Sequence, residues 1–269
     1  MRLLTLMTAA LILMADFSYG QLPQLTASDK NSPIRLQKMA IDVRIIGNRS
    51  VTTYTMTFYN PSDKILEGTF NLSLPEGATI TRYALDIEGK MREGVTVEKA
   101  KATEVFESIE KRKVDPGLLE KTEGNNFRTR IYPFAAKGVR SIIVAFESEL
   151  VLNKSKELLY HLPLDGKEAI PTVTLNVQVH QKGIPPIIAS SPVKDLTFNA
   201  FKDQYCAYTA KEAVVLNKHL SIRIPKMEDA LETFVQKRDG DYYFYLQSFI
   251  PPSDKDKQLP KELAVVWDV

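Results

Sequence analysis

Three histidines and one cysteine are the residues of this chain best suited to metal binding or nucleophilic chemistry. His161, His180 and His219 lie far apart in the sequence, and none has a second ligand at the spacing of a His-Glu-x-x-His zinc motif. Cys206 lies among aromatic residues in the segment Asp203–Tyr208, which is typical of a half-buried structural thiol. A single cysteine also leaves no partner for an internal disulfide. These residues predict neither a metal centre nor a reactive nucleophile.

The motifs of the common enzyme classes are missing from the sequence as well. It has no Gly-x-Ser-x-Gly elbow, no glycine-rich phosphate loop and no Cys-x-x-Cys pair. Two carboxylates such as Glu67 and Glu76 could flank a substrate, but nothing in the sequence distinguishes them from those of a solvated surface. We therefore predict a protein that is not an enzyme and that holds no cofactor within this chain.

The charge balance argues against a nucleic-acid partner. The chain carries 35 Lys and Arg and 33 Asp and Glu, for a net charge of +2. Its basic residues are scattered, whereas nucleic-acid binding relies on a concentrated basic patch. We predict no nucleic-acid partner.

Residues 1–20 have the pattern of a secretory signal peptide. Arg2 precedes an apolar run from Leu3 to Met14, and Ser18-Tyr19-Gly20 places small residues at the two positions that a signal peptidase reads. A membrane anchor is the alternative, but the run is shorter than the roughly twenty residues that span a hydrocarbon core. We predict cleavage before Gln21 and export to a periplasm, a cell surface or the medium, with membrane contact only through the signal peptide.

Period-two alternation of apolar and polar residues dominates the rest of the chain and predicts a mainly β fold. After a polar, flexible leader at 21–33, the first alternating segments favour an antiparallel meander of three consecutive strands. Those segments cover residues 41–45, 51–59 and 66–74. Val173 to Val179 is the clearest half-buried strand, and further candidates lie at 127–134, 141–150, 196–201, 219–224 and 241–249. We expect antiparallel sheets in a β-sandwich-like arrangement.

One segment has helical periodicity instead. Ala102, Val105, Phe106 and Ile109 follow the spacing i, i+3, i+4, i+7 and share one face of a helix. Thr96 fits the N-cap, and Pro116 disfavours helical geometry at Asp115. The spacing predicts one amphipathic helix at about residues 97–113 whose apolar face packs on a sheet.

The same region carries an ordered set of motifs. They are Glu98–Glu107, Asp115-Pro116-Gly117-Leu118-Leu119-Glu120, Phe127–Phe134 and Gly138–Phe146. Together they resemble the vault protein inter-alpha-trypsin (VIT) domain, found in inter-alpha-trypsin inhibitor heavy chains and in many secreted bacterial proteins. Phe106 and Phe146 stand where that family often has tyrosine. We place the VIT-like domain at 34–160 and a β-rich connecting region at 161–258, and we expect Leu118 and Leu119 to anchor the chain as it leaves the helix.

The end of the chain resembles the first strand of a von Willebrand factor A domain, which usually follows the VIT domain in that family. After a polar linker at 251–257, the run from Leu263 to Val269 is apolar in the manner of a strand buried on both faces. Asp268 would match the first aspartate of an Asp-x-Ser-x-Ser site, which holds a divalent cation, Mg²⁺ or Ca²⁺, through oxygen ligands. The two serines are not in this sequence, so we expect Asp268 to be a strand-end carboxylate without metal here, and residues 259–269 to be the start of a truncated domain.

The resemblance implies an exported, non-catalytic scaffold or interaction module. It would support or present the adjacent von Willebrand factor A-type adhesion domain, contact that domain intramolecularly and bind a protein partner. The alternative is a carbohydrate-binding or glycan-processing β-sandwich, because the segment Asp241–Tyr245 is rich in aromatic residues. Exposure of Tyr243 and Tyr245 together would favour that alternative, and their burial would dismiss it.

Overall fold

The chain folds as a mainly β structure. The computed structural model describes residues 22–29, 33–87, 89–98, 118–226 and 231–248, and these residues form eighteen strands, numbered β1 to β18 along the chain, with no helix among them. The mainly β prediction is therefore confirmed. The sheets are mixed rather than purely antiparallel, because two pairs of neighbouring strands run parallel.

The largest sheet has eight strands and is built around the most strongly alternating segments of the sequence. In spatial order its strands are β14 (Asn199–Phe201), β15 (Gln204–Val215), β12 (Ala169–His180), β2 (Arg35–Ile46), β3 (Arg49–Tyr59), β10 (Val139–Glu149), β5 (Thr79–Ile87) and β6 (Lys90–Glu93). All neighbours pair antiparallel except β2 and β12. Because successive side chains of a strand point to opposite faces, one face of this sheet is buried and the other carries polar residues.

Two smaller sheets and a hairpin complete the fold. The five-stranded sheet has the order β1 (Gln24–Ala27), β4 (Leu66–Ser73), β9 (Asn126–Phe134), β8 (Leu118–Lys121) and β7 (Val95–Glu98). The three-stranded sheet has the order β11 (Glu157–Leu162), β16 (Leu220–Pro225) and β13 (Ile187–Ser190). The last two strands, β17 (Leu231–Arg238) and β18 (Asp241–Ser248), form a hairpin whose two-residue turn, Asp239-Gly240, has positive φ at both positions.

The buried faces of the three larger sheets share one hydrophobic core. Phe58 of β3 and Phe70 of β4 meet edge to face across the layers, with 6.2 Å between ring centroids. Within the large sheet, Tyr54 packs against Phe146 at 5.5 Å. Tyr160 of β11 shares a 2.8 Å hydrogen bond with the buried Thr52 hydroxyl, which fixes the three-stranded sheet on the same face. The large sheet is thus covered on one face by two smaller sheets, as in a β-sandwich.

The predicted meander of three consecutive strands is wrong at its third strand. β2 and β3 pair as expected, but β4 crosses to the five-stranded sheet, and β10 takes the free edge of β3. The chain changes layer at Asn60, which is fully buried and binds the surrounding backbone. Its Nδ2 donates to the carbonyls of Lys64 at 2.8 Å and Ala135 at 2.9 Å, and its Oδ1 accepts from the Ser62 amide at 3.0 Å. This side chain stabilises the corner between the two layers.

Replacing Asn60 with alanine is expected to lower the free energy of unfolding by about 1–3 kcal/mol, because buried backbone groups would lose their partners. Urea unfolding followed by circular dichroism measures this change. Asn71→Ala is the matched control, since the Asn71 side chain is exposed and donates a long hydrogen bond of 3.5 Å to the Thr69 carbonyl. Equal stability of the two variants would contradict the role assigned to Asn60.

The predicted flexible leader at 21–33 is wrong over its first half. Gln24–Ala27 forms β1 and pairs antiparallel with β4, and Leu22 and Leu25 are buried. Both leucines fill space beside a glycine: a Cβ at Gly68 would lie 2.8 Å from Leu25 Cδ1, and one at Gly166 would lie 2.5 Å from Leu22 Cδ1. Two leucines spaced three apart in a short polar segment give too weak an alternation to predict a strand.

The predicted start of the helix at residue 97 is wrong, because Val95–Glu98 is a strand. Thr96 is therefore not an N-cap, and the β-branched residues Val95, Thr96 and Val97 fit a pleated strand. The remainder of the predicted helix, 99–113, lies outside the described residues and stays a prediction. β7 pairs parallel with β8, and neighbouring parallel strands need a crossover of about a dozen residues or more.

The boundary predicted at residue 160 runs through a continuous sheet. β12, which belongs to the predicted connecting region, pairs with β2 from Thr172↔Lys38 to His180↔Ile46. β15 extends the same sheet beyond β12. The predicted domain at 34–160 and the strands that follow it therefore share a sheet and a core.

Candidate functional site

A cleft of about 1020 Å³ lies between the β17–β18 hairpin and the ends of β2, β12 and β16. The sheet side contributes Arg44 and Ile46 from β2 and His180 from β12, and the hairpin contributes aromatic residues. Between these walls lie Gln181, Lys182 and Ile184 after β12, Asp203 before β15, and Pro225 and Lys226 at the end of β16. The cleft thus collects residues from five separate parts of the chain.

The hairpin is held against the body at the β2–β3 turn. The Asn48 amide donates to Gln247 Oε1 at 2.9 Å, and the Tyr245 hydroxyl donates to Asn48 Oδ1 at 2.9 Å. Gly47 has a φ of +58°, and a Cβ at this position would collide with the Gln247 side chain. Glycine is therefore required here both for the backbone conformation and for the close approach of the hairpin.

Aromatic side chains form the hairpin wall. Phe234 and Tyr245 are cross-strand neighbours whose rings stack with 5.8 Å between centroids and 27° between planes. Tyr243 lies two residues along the same strand and is 56 % exposed, while Tyr245 is 41 % exposed. The exposure that would favour carbohydrate binding is therefore present at both tyrosines.

Most of the charged side chains that line the cleft form two ion pairs. Lys226 Nζ lies 2.8 Å from Glu232 Oε1, and Lys182 Nζ lies 3.0 Å from Asp203 Oδ1. Burial lowers the pKa of Lys226, and the hydrogen bond to Glu232 works in the opposite direction by favouring the charged ammonium. The Lys226–Glu232 pair also joins the body to the first residues of the hairpin.

Arg44 is different, because it has no ion-pair partner among the described residues. Asp42, two residues away on the same face, accepts a 3.0 Å hydrogen bond from Asn176 Nδ2 instead. Partial burial lowers the pKa of His180, and the nearby positive charge of Arg44 lowers it further. Both effects favour the neutral form of His180, so we assign the excess positive charge of the cleft to Arg44.

Two buried acceptor atoms beside the cleft have no hydrogen-bond donor in the described part of the chain. Gln181 is 8 % exposed, and its Nε2 donates to the carbonyls of Ile184 at 2.7 Å and Pro225 at 3.0 Å. The Oε1 atom of the same amide has no donor, nor does Oε2 of Glu232. Buried oxygen atoms of this kind normally accept a hydrogen bond from a water or a ligand.

The other residues singled out from the sequence lie elsewhere. Leu118, Leu119 and Glu120 belong to β8, where Leu119 is fully buried and Glu120 lies 3.6 Å from Arg128. The rest of the predicted structural motif lies outside the described residues: Ala102, Val105, Phe106, Ile109, Asp115, Pro116 and Gly117. Asp268, the predicted metal ligand, also lies outside them.

The histidines are not grouped around a metal. The rings of His161 and His219 lie 4.8 Å apart, and His161 Nδ1 is 2.8 Å from the Ser221 hydroxyl, but His180 belongs to the cleft. Partial burial lowers the pKa of His161, with a smaller effect in the same direction from His219. Within the described ranges, no three His, Cys, Asp or Glu residues are close enough to hold a metal ion. Cys206 is half-buried on β15, opposite Asn199.

Comparison with known proteins finds a family that the first part of this fold resembles. Residues 36–147 match the family model of the vault protein inter-alpha-trypsin domain. This segment is therefore similar to a VIT domain. The matched segment contains the strands from β2 to β10, and β12 and β15 extend its largest sheet. Of the residues that line the cleft, Arg44 and Ile46 belong to the matched segment, and the others follow it in the chain.

The curated relatives are much longer than the chain. Human inter-alpha-trypsin inhibitor heavy chain H4 is 28 % identical over 251 residues, which covers 91 % of this chain and 24 % of the relative. The bovine heavy chain H4 is 27 % identical over 275 residues, covering 96 % of this chain and 30 % of the relative. The chain thus spans about a quarter of the length of these relatives, and the alignments extend beyond the VIT domain into the strands that follow it.

A solved structure of low sequence identity has the same fold. A Legionella pneumophila protein, classed as a candidate nutrient-binding protein, superimposes with a TM-score of 0.51 at 11 % identity, covering 77 % of this chain and 70 % of that chain. This likeness concerns the fold alone. Among the described residues of our chain, no helix has the length and apolar character needed to cross a membrane.

Proposed function

We propose that the chain is an exported, non-catalytic interaction module that supports or presents an adjacent von Willebrand factor A-type adhesion domain. The match of residues 36–147 to the VIT domain carries this proposal, together with alignments to inter-alpha-trypsin inhibitor heavy chains over most of the chain. The same relationship supports a protein without catalytic activity and with protein partners. No step of catalysis is assigned to the cleft.

Export is supported by the signal-peptide pattern of residues 1–20 and by the relationship to heavy chains. The mature chain would begin at Gln21, immediately before the buried Leu22 and strand β1. Its destination is a periplasm, a cell surface or the medium.

The adjacent domain is inferred from residues 259–269. The run from Leu263 to Trp267 has the composition of a strand buried on both faces, and Asp268 would supply one oxygen ligand for Mg²⁺ or Ca²⁺ in the complete domain. In that domain a bound cation would leave a coordination position for an acidic group of a partner. The gene sequence after Val269 tests this inference directly, because Ser-x-Ser should follow Asp268 almost at once.

Affinity capture with the complete gene product tests the interaction function. The tagged protein is incubated with the extracytoplasmic fraction of its own cells in Mg²⁺ or in EDTA, and the captured proteins are identified and tested in the reciprocal direction. We expect a specific partner whose capture is weaker in EDTA and in an Asp268→Ala variant. Capture of no reproducible partner under either condition would contradict the proposal.

Carbohydrate binding is the second candidate function, and the joint exposure of Tyr243 and Tyr245 favours it. Exposed aromatic rings stack on the apolar faces of sugars, and these two point to the same face of β18. A glycan array probed with the labelled chain tests this candidate. Binding that is lost in Tyr243→Ala would support it, and an array without signal would remove it.

A further inference from the structure

We propose that the cleft between the β17–β18 hairpin and the ends of β2 and β12 binds an extended, acidic peptide segment of a protein partner. This inference rests on the proposed interaction function and names the site and the chemistry of the partner. It is carried by the charge of the cleft, by its free acceptor atoms and by its aromatic wall.

The positive charge of the cleft favours an anionic ligand. Lys226 is neutralised by Glu232 and Lys182 by Asp203, so these two pairs contribute no net charge. Arg44 remains, and it forms no ion pair in the part of the chain that the structure describes. A guanidinium group presents several N–H donors in a plane and binds a carboxylate through two parallel hydrogen bonds. An aspartate or glutamate side chain of a bound peptide supplies this group.

The two buried acceptor atoms favour an anionic ligand that also carries N–H donors. Gln181 Oε1 and Glu232 Oε2 both lack a donor, and both residues line the cleft. The amide groups of an extended peptide alternate in direction along its backbone and therefore offer donors at regular intervals. A ligand that combines a carboxylate with several N–H donors fits this set better than a neutral glycan, which would leave Arg44 without a counter-charge.

The hairpin supplies the remaining features of a peptide site. The stacked Phe234 and Tyr245 rings and the neighbouring Tyr243 form an apolar wall for a side chain next to the acidic residue. In the described part of the chain, β17 and β18 pair only with each other, so each has an outer edge without a strand partner. An extended peptide can add to such an edge through main-chain hydrogen bonds, while side-chain pockets give specificity.

An array of random nonapeptides probed with the labelled mature chain tests the proposal. We expect the bound peptides to be enriched in Asp or Glu next to an aromatic or aliphatic residue. A fluorescein-labelled copy of the best peptide then gives an affinity by anisotropy. Arg44→Glu should weaken this affinity by about tenfold or more, because an attractive charge-assisted contact becomes repulsive, and Tyr243→Ala should weaken it as well.

Arg35→Glu is the matched control, because Arg35 is an exposed arginine at the opposite end of the same strand. It makes the same change in net charge and should leave the affinity within about twofold of the original, as expected for a remote charge screened by salt. Both arginines are exposed, so the variants should melt at the temperature of the original chain.

The proposal is overturned if the array selects no acidic peptides, if Arg44→Glu and Arg35→Glu have the same affinity, or if a glycan array gives the only specific binding. Partner capture by the complete protein distinguishes failure of the peptide-site proposal from failure of the proposed interaction function. A partner still captured at full strength by both Arg44→Glu and Tyr243→Ala would place the interaction elsewhere and leave the broader function standing.

Discussion

Phe70→Ala is expected to lower the free energy of unfolding by about 3–5 kcal/mol, the range typical of large-to-small substitutions in a packed core. Phe70 is fully buried on β4, between Leu25 of β1 and Thr129 of β9 in the five-stranded sheet. Its ring meets Phe58 of the eight-stranded sheet edge to face, so the substitution removes contacts both within a layer and between layers. Urea unfolding monitored by circular dichroism measures the change.

Phe244→Ala is the control for this prediction. Phe244 is 73 % exposed on the hairpin, so removing its ring should change the unfolding free energy by no more than about 0.5 kcal/mol. If both variants unfold at the same urea concentration, Phe70 does not join the two layers as described. A Phe70→Leu variant should recover part of the loss, since it refills most of the volume with apolar atoms.

Stability is expected to fall steeply above pH 10 because of two buried tyrosines. Burial raises the pKa of Tyr54 well above its usual value, and a repulsive effect of Tyr160 raises it further. Burial also raises the pKa of Tyr160, against a smaller opposing effect of the hydrogen bond to Thr52. Above pH 10 the unfolded chain loses these two protons while the folded chain keeps them. The unfolding free energy should then decrease by about 1.4 kcal/mol per pH unit for each tyrosine.

The sign follows from proton linkage: the folded state binds more protons than the unfolded state in this range, so a rise in pH favours unfolding. Below pH 10 both states keep the protons, and the two phenols contribute no pH dependence. Urea unfolding at several pH values between 9 and 12 gives the slope. Tyr160→Phe should reduce the slope of the unfolding free energy against pH by the contribution of one tyrosine. It also removes the hydrogen bond to Thr52.

Tyr242→Phe provides the comparison, because Tyr242 is exposed on the hairpin, far from the core that encloses Tyr54 and Tyr160. Its slope should match that of the original chain. An original chain whose stability does not change between pH 10 and 12 would contradict the burial of both phenols in a water-excluded core. Since the chain has 11 tyrosines, absorbance alone cannot isolate these two, and the slope of unfolding is the better measurement.

The strands that the sequence predicts best are those whose two faces differ most. Val173, Val177 and Val179 alternate with polar residues, and they lie on β12 with their side chains in the core. The sequence does not predict β15, because most of its side chains are exposed or half-buried. The alternation of apolar and polar residues is therefore weak, although the strand is paired on both sides. The sequence does not predict β1 either, because the strand has only four residues.

Sheet membership was harder to predict than strand position. Alternation reveals that β2, β3 and β4 are strands, but it does not show that β4 leaves the sheet at Asn60. Nor does it show that β2 pairs with β12, which lies more than a hundred residues further along the chain. Such pairings depend on long-range packing, which a local pattern does not encode.

The candidate site was predictable only in part. The aromatic residues Tyr243 and Tyr245 attract attention in the sequence because they are consecutive on one face of a strand. Arg44, Gln181 and Lys226 carry no local signal, since each is an ordinary polar residue at the end of a strand. Their importance comes from the position of the hairpin, which brings together segments separated by up to two hundred residues.

The parallel pairing of β2 with β12 also has a consequence for any shortened version of the protein. A piece ending at residue 160 would retain the whole family segment but lose the neighbour that hydrogen-bonds β2 along most of its length. A long edge strand left unpaired in this way is a template for self-association, and it leads to insoluble expression. The smallest soluble unit should therefore extend past β12 and β15 to Pro225, because β16 pairs with β11 and contributes to the same core.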